Sequence, residues 1–282
     1  MKLLRYGPPG QEKPGLVDKA GQLRDLSAAI ADVNPEALAP SALDRLRKID
    51  PTTLPPVSGK PRLGAPLTQV PKVVCVGLNY TDHAAETGAA IPKEPILFMK
   101  ATTSINGPDD EVMLVKGSRK TDWEVELGIV IGSITSYVAE RDALKHVAGY
   151  TLVNDVSERE YQIERGGQWT KGKSADSYCP IGPWLVTADE VPDPQKLELF
   201  CEVNGRTMQK GTTANMIFGV AHIVSYISHF MTLMPGDVIP TGTPAGVGLG
   251  MKPPIFLKAG DTMRLGISGL GEQRQNVVAF RE

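Results

Sequence analysis

From Pro71 onward the chain is written in short β-type runs, KVVCVGL, VELGIVIG, AGYTLVNDV, LELFCEV and TMRLGISG, each bounded by Gly, Pro or Asp. Only a few helical intervals lie between them. Strands that do not alternate regularly with helices disfavour a doubly wound parallel fold and predict a mainly β body with some helix, of the α+β class. The clearest helical pattern covers 215–234, where Ile217, Val220, Ala221, Val224, Ile227 and Phe230 recur at spacings of three or four.

The segment before Pro71 is different. It holds strand-like pieces at 1–6 and 15–17 and a helical pattern over 35–48 carried by Leu38, Leu43 and Leu46. Then Pro51, Pro55, Pro56, Pro61, Pro66 and Pro71 interrupt the chain, each fixing its own φ and turning the preceding residue away from helix. This predicts a small N-terminal α+β domain with a proline-rich linker over 1–70 and a catalytic domain over 71–282.

Bulk composition narrows the function classes. With 282 residues, 41% of them hydrophobic and 22% charged, the chain has ordinary globular material. A formal net charge of -2 gives no general attraction to nucleic acid or to an anionic membrane. No apolar run has the length of a bilayer span or the form of a secretory leader, so a cytoplasmic setting is expected. Cys75, Cys179 and Cys201 are too few and too far apart for a disulfide framework or a paired-cysteine zinc site. Cys75 and Cys201 lie inside apolar runs and read as core residues.

The carboxylates are more informative. In TDWEVELGIVIG, Glu124 and Glu126 stand two apart on a strand, so both side chains emerge on one face. A solvated strand edge is the ordinary reading of such a pair. A shared cation is the alternative, because it offsets the repulsion between neighbouring carboxylates. Asp155 ends a second β-type run, from which a third carboxylate can converge. Three hard oxygen donors without nearby Cys or His favour Mg2+ or Mn2+, with Ca2+ possible, over zinc, and no organic cofactor is implied. After Asp155, Arg159 and Gln162 would share a face of a short helix starting after Ser157, where a guanidinium and an amide suit a substrate carboxylate or carbonyl.

In GLNYTDHAAETG, Thr81 or Asp82 can cap a helix on which His83 and Glu86 are three apart. Such a carboxylate fixes the imidazole tautomer and raises its basicity, as a water-activating base requires, although an exposed surface pair has the same spacing. Gly77 and Gly88 flank the segment and would let it hinge as a lid. His146 has no evident partner, and His222 and His229, seven residues apart on the helical pattern, read as packed or partly exposed residues. Lys173 would balance an oxyanion beside a metal. Lys100, which ends an apolar run, is expected to face the substrate. The run TGTPAGVGLG lacks the GK[ST] of a nucleotide loop and suits close backbone approach to a substrate carboxylate, with Thr243 donating its hydroxyl.

Taken in order, VGLNYTDHAAE, FMKATTSINGP, DWEVELGIVIG, NDVSEREYQ, KGKSADSYCPIGPW and PGDVIPTGTPAGVG resemble the fumarylacetoacetate hydrolase family over about Val73 to Ala279. The resemblance implies a β-roll or barrel-like catalytic fold and a divalent metal held by Glu124, Glu126 and Asp155. It also implies a mobile helix that carries His83 and Glu86 over the metal, and a homodimer, possibly a dimer of dimers. Arg159, Gln162, Lys173 and Thr243 match family positions that line the substrate site. Some members use a fourth acidic ligand upstream of the histidine, and VCVGLNY contains none, so water or a substrate oxygen would complete the shell. The wording is similar to the bacterial branch that acts on 2,4-diketo-3-deoxy sugar acids of the rhamnonate and fuconate type, and to members named as ureidoglycolate lyases. Gln168 and Lys171 would suit a hydroxylated tail.

The expected activity is therefore metal-dependent hydrolysis of the C3–C4 bond of a 2,4-dioxo acid, releasing pyruvate, with a small 2-oxo acid as the substrate and a second copy of the chain as the partner. Acylpyruvate hydrolysis, oxaloacetate decarboxylation and ureidoglycolate cleavage are alternatives on the same fold. A noncatalytic Ca2+-stabilised protein is the alternative of another class, and it has no need of the His83 and Glu86 pair.

Overall fold

In the computed structural model, which describes residues 1–282, the longest antiparallel pair joins Val125–Ile131 to Val147–Asn154, with Val125 opposite Asn154 and Gly128 opposite Thr151. Both strands are buried on both faces, which is why they read as continuous apolar runs. They form the centre of a ten-stranded sheet running Leu23–Asp25, Lys13–Val17, Lys2–Tyr6, Leu185–Thr187, Val147–Asn154, Val125–Ile131, Val238–Pro240, Val73–Gly77 and Ile96–Lys100, with Leu63–Gly64 beside Lys2–Tyr6. The sheet is open at both ends. A five-stranded sheet runs Arg206–Thr212, Glu198–Val203, Thr262–Ile267, Gly271–Val278 and Val112–Met113.

The two-residue side-chain period decides what fills each face. Val125, Leu127, Ile129 and Ile131 enter a core of 31 buried residues shared with Leu199, Cys201 and Val203, with Met263 and Leu265, and with the helix Val220–Ser228. Val130 enters a second core of 18, packed with Val73, Cys75, Ala148 and Val153 and with Leu38, Leu43 and Leu46 around the helix Pro40–Arg47. Glu124 and Glu126 share the parity of Val130 and leave the strand on that side.

Lys2–Tyr6 pairs with Leu185–Thr187, so strands from both sides of residue 70 share one sheet. The 215–234 pattern is helical only over Val220–Ser228: Gly219 is extended before it (ψ 167°) and offers no capping side chain. The helix expected after Ser157 is replaced by the strand Ser157–Glu158, paired with Thr121–Asp122, followed by a π-helical turn at Glu160–Glu164. Ser157 does not cap; its hydroxyl donates to the Asp155 carbonyl at 2.8 Å. No helix is long and apolar enough to cross a membrane.

Candidate active site

The strand Val125–Ile131, the end of Val147–Asn154 and their tether meet at one point. The Asp155 N–H donates to the Glu124 carbonyl at 2.9 Å, which fixes the end of one strand against the start of the other. Glu124, Glu126 and Asp155 thereby bring one carboxylate oxygen each to within 4.8 Å of one another, all three side chains buried.

Each carboxylate has its own surroundings. Glu124 accepts from Lys173 Nζ at 2.6 Å through Oε2, and its Oε1 pairs with Arg159 Nη1 at 2.7 Å. Burial works to raise the Glu124 carboxyl, but Lys173 and Arg159 outweigh it and hold it well below the usual carboxylate range. Asp155 is shared between two ammonium groups, Lys173 at 2.7 Å on Oδ2 and Lys100 on Oδ1. Glu126 touches no cation. Its Oε2 accepts only the Gly242 N–H at 2.8 Å, and burial together with the charges of Asp155 and Glu124 pushes its carboxyl well up. Glu126 is thus the carboxyl without a cationic partner, in an all-oxygen donor set. That chemistry fits a small hard divalent cation, which these three residues would hold.

Arg159 is held by a residue that the sequence reading passed over. Asp122 Oδ2 accepts from Arg159 Nε at 2.9 Å, and the same carboxylate accepts the N–H groups of Trp123, Gly248 and Leu249. Asp122 has the parity of Glu124 and Glu126, so the D-x-E-x-E alternation was the available signal. Arg159 Nη1 also donates to Gln162 Oε1 at 2.9 Å, which places the two together.

The helix Thr81–Thr87 lies over this cluster. His83 Nδ1 stands 3.2 Å from Glu86 Oε2, and Glu86 Oε1 accepts the Gly246 N–H at 2.9 Å. A Cβ on Gly250 would lie 2.4 Å from the Glu86 carboxyl carbon, so glycine there leaves room for the Glu86 side chain. Asp122 holds the underside of the same 246–250 loop, through Gly248 and Leu249, while it holds Arg159.

A cavity of about 60 Å³ is lined by His83, Glu124, Glu126, Arg159, Gln162, Lys173 and Thr243, together with an apolar group of Val76, Leu78, Phe98 and Trp169. Larger hollows lie elsewhere, one of about 380 Å³ near Arg5, Glu12 and Arg62. There the charges are already paired, Arg5 with Asp32 and Arg62 with Glu12 and Asp110, so the smaller cavity is the one with chemistry to offer.

Two expected substrate contacts are placed otherwise. Lys100 does not reach the cavity: it is fully buried behind Asp155, its ammonium spent on Oδ1 and on the Val156 carbonyl at 3.2 Å. Thr243 lines the cavity, but its hydroxyl donates to the Val125 carbonyl at 2.9 Å and accepts from Gln209 Nε2 at 2.7 Å, so its proton is not free for a ligand. Lys173 is buried, yet Asp155 and Glu124 keep its ammonium protonated, above the usual lysine range. The three cysteines are buried, and burial pushes the Cys179 thiol up to about 12, which leaves no thiolate nucleophile.

The chain is similar to known proteins along its whole length. The fumarylacetoacetate (FAA) hydrolase C-terminal family profile matches residues 72–278. A Burkholderia cenocepacia protein whose name goes no further than suggesting a hydrolase is 62% identical over 277 residues, 98% of each chain. The fumarylacetoacetate hydrolase of Exiguobacterium antarcticum superimposes with a TM-score of 0.87 at 36% identity, covering 99% of this chain and 100% of that one. A maleylpyruvate hydrolase of Sphingobium sp. SYK-6, solved with manganese(II) and pyruvate, superimposes with a TM-score of 0.82 at 27% identity over all of both chains. With a matching profile across the strands that carry its carboxylates and full-length relatives on both counts, the chain belongs to the fumarylacetoacetate hydrolase family.

Proposed function

We propose that this chain hydrolyses the C3–C4 bond of 2,4-dioxo acids with a divalent cation, releasing pyruvate and the carboxylic acid derived from the tail. The observation that carries the reading is that the His83 and Glu86 pair sits over the Glu124, Glu126 and Asp155 cluster, with His83, both glutamates and Lys173 lining one cavity. Glu124, Glu126 and Asp155 would hold Mg2+ or Mn2+, which would supply positive charge to the anionic 2-oxo acid end of the substrate. Arg159 and Gln162 fix the orientation of that end of the substrate. His83, oriented by Glu86, takes a proton from the water that attacks C4. As the C3–C4 bond breaks, its electron pair passes to C3 and the pyruvate enolate oxygen, whose charge the Lys173 ammonium offsets until C3 is protonated. That the Sphingobium relative holds manganese and pyruvate supports the same assignment.

The tail is the finer question. A sugar-acid tail of the rhamnonate or fuconate type was expected to meet Gln168 and Lys171, but both are exposed and neither lines the cavity. The reading supported best is therefore an acylpyruvate-type acid. A panel of 2,4-dioxo acids and oxaloacetate, assayed with Mg2+ and with Mn2+ and followed by product mass, tests it. Pyruvate plus the tail acid is the expected result. Carbon dioxide and pyruvate from oxaloacetate alone would make the chain a decarboxylase and sink the hydrolytic reading.

The seating of Glu86 gives an independent prediction. Gly250→Ala places a methyl group where the Glu86 carboxyl lies and should push that carboxylate away from His83 and the Gly246 N–H. Turnover is expected to fall about 100-fold, the cost of displacing a catalytic group by roughly an ångström, while calorimetric Mn2+ affinity stays near that of the parent chain. Unchanged turnover would show that His83 does not need Glu86 in this position.

A further inference from the structure

The mechanism uses the charged lining of the cavity and leaves its apolar group unexplained. Trp169 immediately precedes the one-turn helix Thr170–Lys173 and lies four residues before Lys173. Its indole packs so closely on the end of the Val73–Gly77 strand that a Cβ at Gly77 would be 2.3 Å from the ring. Phe98, from the Ile96–Lys100 strand, backs it with ring centroids 5.3 Å apart at 58°, and Lys173 Nζ stands 5.1 Å from the Phe98 centroid. Leu78, beside Gly77, holds a left-handed φ of 48°, a strained conformation for leucine at a position that lines the same cavity. Thus an aromatic surface begins one helical turn before Lys173, whose ammonium is assigned to the enolate oxygen in the proposed reaction.

We propose that Trp169, seated on Gly77 and backed by Phe98, is the specificity-determining residue of this cavity, selecting 2-oxo acids whose tail is flat and apolar or unsaturated over those with several hydroxyls. Resting on the hydrolase reading for where the 2-oxo acid end sits, it adds what lies beyond C4. A planar tail gains offset stacking and apolar burial against the indole. Hydroxyls directed at Trp169, Phe98, Val76 and Leu78 lose water without gaining side-chain acceptors, so the surface discriminates against them.

The test separates binding from turnover. With Mg2+ present, calorimetry compares pyruvate, a 2-oxo acid with a phenyl tail and one with a polyhydroxylated tail, none carrying the 4-oxo group and none therefore cleavable by this reaction. The parent chain should bind the phenyl-tailed acid at least about tenfold more tightly than the hydroxylated one. Trp169→Ala should weaken the phenyl-tailed acid about ten- to 100-fold more than it weakens pyruvate, and Trp169→Phe should restore most of the loss. An equal loss for pyruvate and the phenyl-tailed acid would show that Trp169 only supports Lys173, and a parent preference for the hydroxylated tail would reverse the assignment. Either overturns the proposal. Failure of the parent chain to cleave any 2,4-dioxo acid would overturn the hydrolase reading instead, with the tail preference still decided by these affinities.

Discussion

Glu126→Gln is expected to abolish metal-dependent turnover while making the metal-free protein more stable. The carboxylate is the one member of the cluster that no lysine or arginine touches, and an amide of the same shape keeps the Gly242 N–H bond while removing the anionic donor. Mg2+ affinity and activity should both fall below detection. The stability change runs the other way because the folded state raises the Glu126 carboxyl above its ordinary value through burial and its anionic neighbours. A raised carboxyl contributes stability in acid and loses it as pH climbs from the unfolded value toward the folded one, so the metal-free parent is penalised at neutral and alkaline pH. The variant should therefore melt higher than the metal-free parent at pH 8, with the gap closing toward pH 4. Glu124→Ala also removes a ligand but leaves Arg159 and Lys173 buried without their shared partner. Arg159 keeps Asp122 and Lys173 keeps Asp155, so the cost stays below the roughly 3–5 kcal/mol of a buried charge left alone, and this variant should lose metal binding and melt lower. Full Mg2+-dependent activity in either variant would contradict the ligand assignment, and melting shifts of the same sign would contradict the electrostatic one.

The contrast between the two glutamates also marks how far the sequence could be read. Alternation along DWEVELGIVIG places Glu124 and Glu126 on one side of a strand before any tertiary structure is known, and the apolar run ending at Asn154 puts Asp155 at a strand terminus. These are local consequences of a two-residue period. That Glu124 is doubly paired and Glu126 is not depends on Arg159, which sits between a two-residue strand and a π-turn where the sequence pattern suggested a helix, and on Lys173 at the end of the one-turn helix Thr170–Lys173. Asp122 was legible by the same alternation but carried no separate signal, since its partners, the 246–250 loop and Arg159, lie far along the chain. Lys100 shows the opposite failure. Its unusual place at the end of an apolar strand was visible, yet only the packing of that strand against a residue 55 positions later turns it toward Asp155 and away from the cavity. Likewise the open sheet absorbs the N-terminal strands through pairing with Leu185–Thr187, a contact no proline pattern announces.

His83→Ala should separate chemistry from metal binding. The imidazole lines the cavity but is not one of the three clustered donors, so its removal leaves the carboxylates, Lys173 and Arg159 in place. Mn2+ affinity and pyruvate binding measured by calorimetry should stay close to the parent values, while the rate of C3–C4 cleavage falls about 100- to 10,000-fold, the span usual for loss of a positioned general base. Glu86→Gln should give a smaller loss for a definite reason. A carboxylate offers an acceptor oxygen to His83 Nδ1 and another to the Gly246 N–H, whereas an amide has a single acceptor and must turn its NH2 toward one of them. The variant therefore gives up either the oriented imidazole tautomer or the seat of the lid. Cleavage within a few fold of the parent after His83→Ala would leave proton abstraction to another group and remove the dyad from the mechanism.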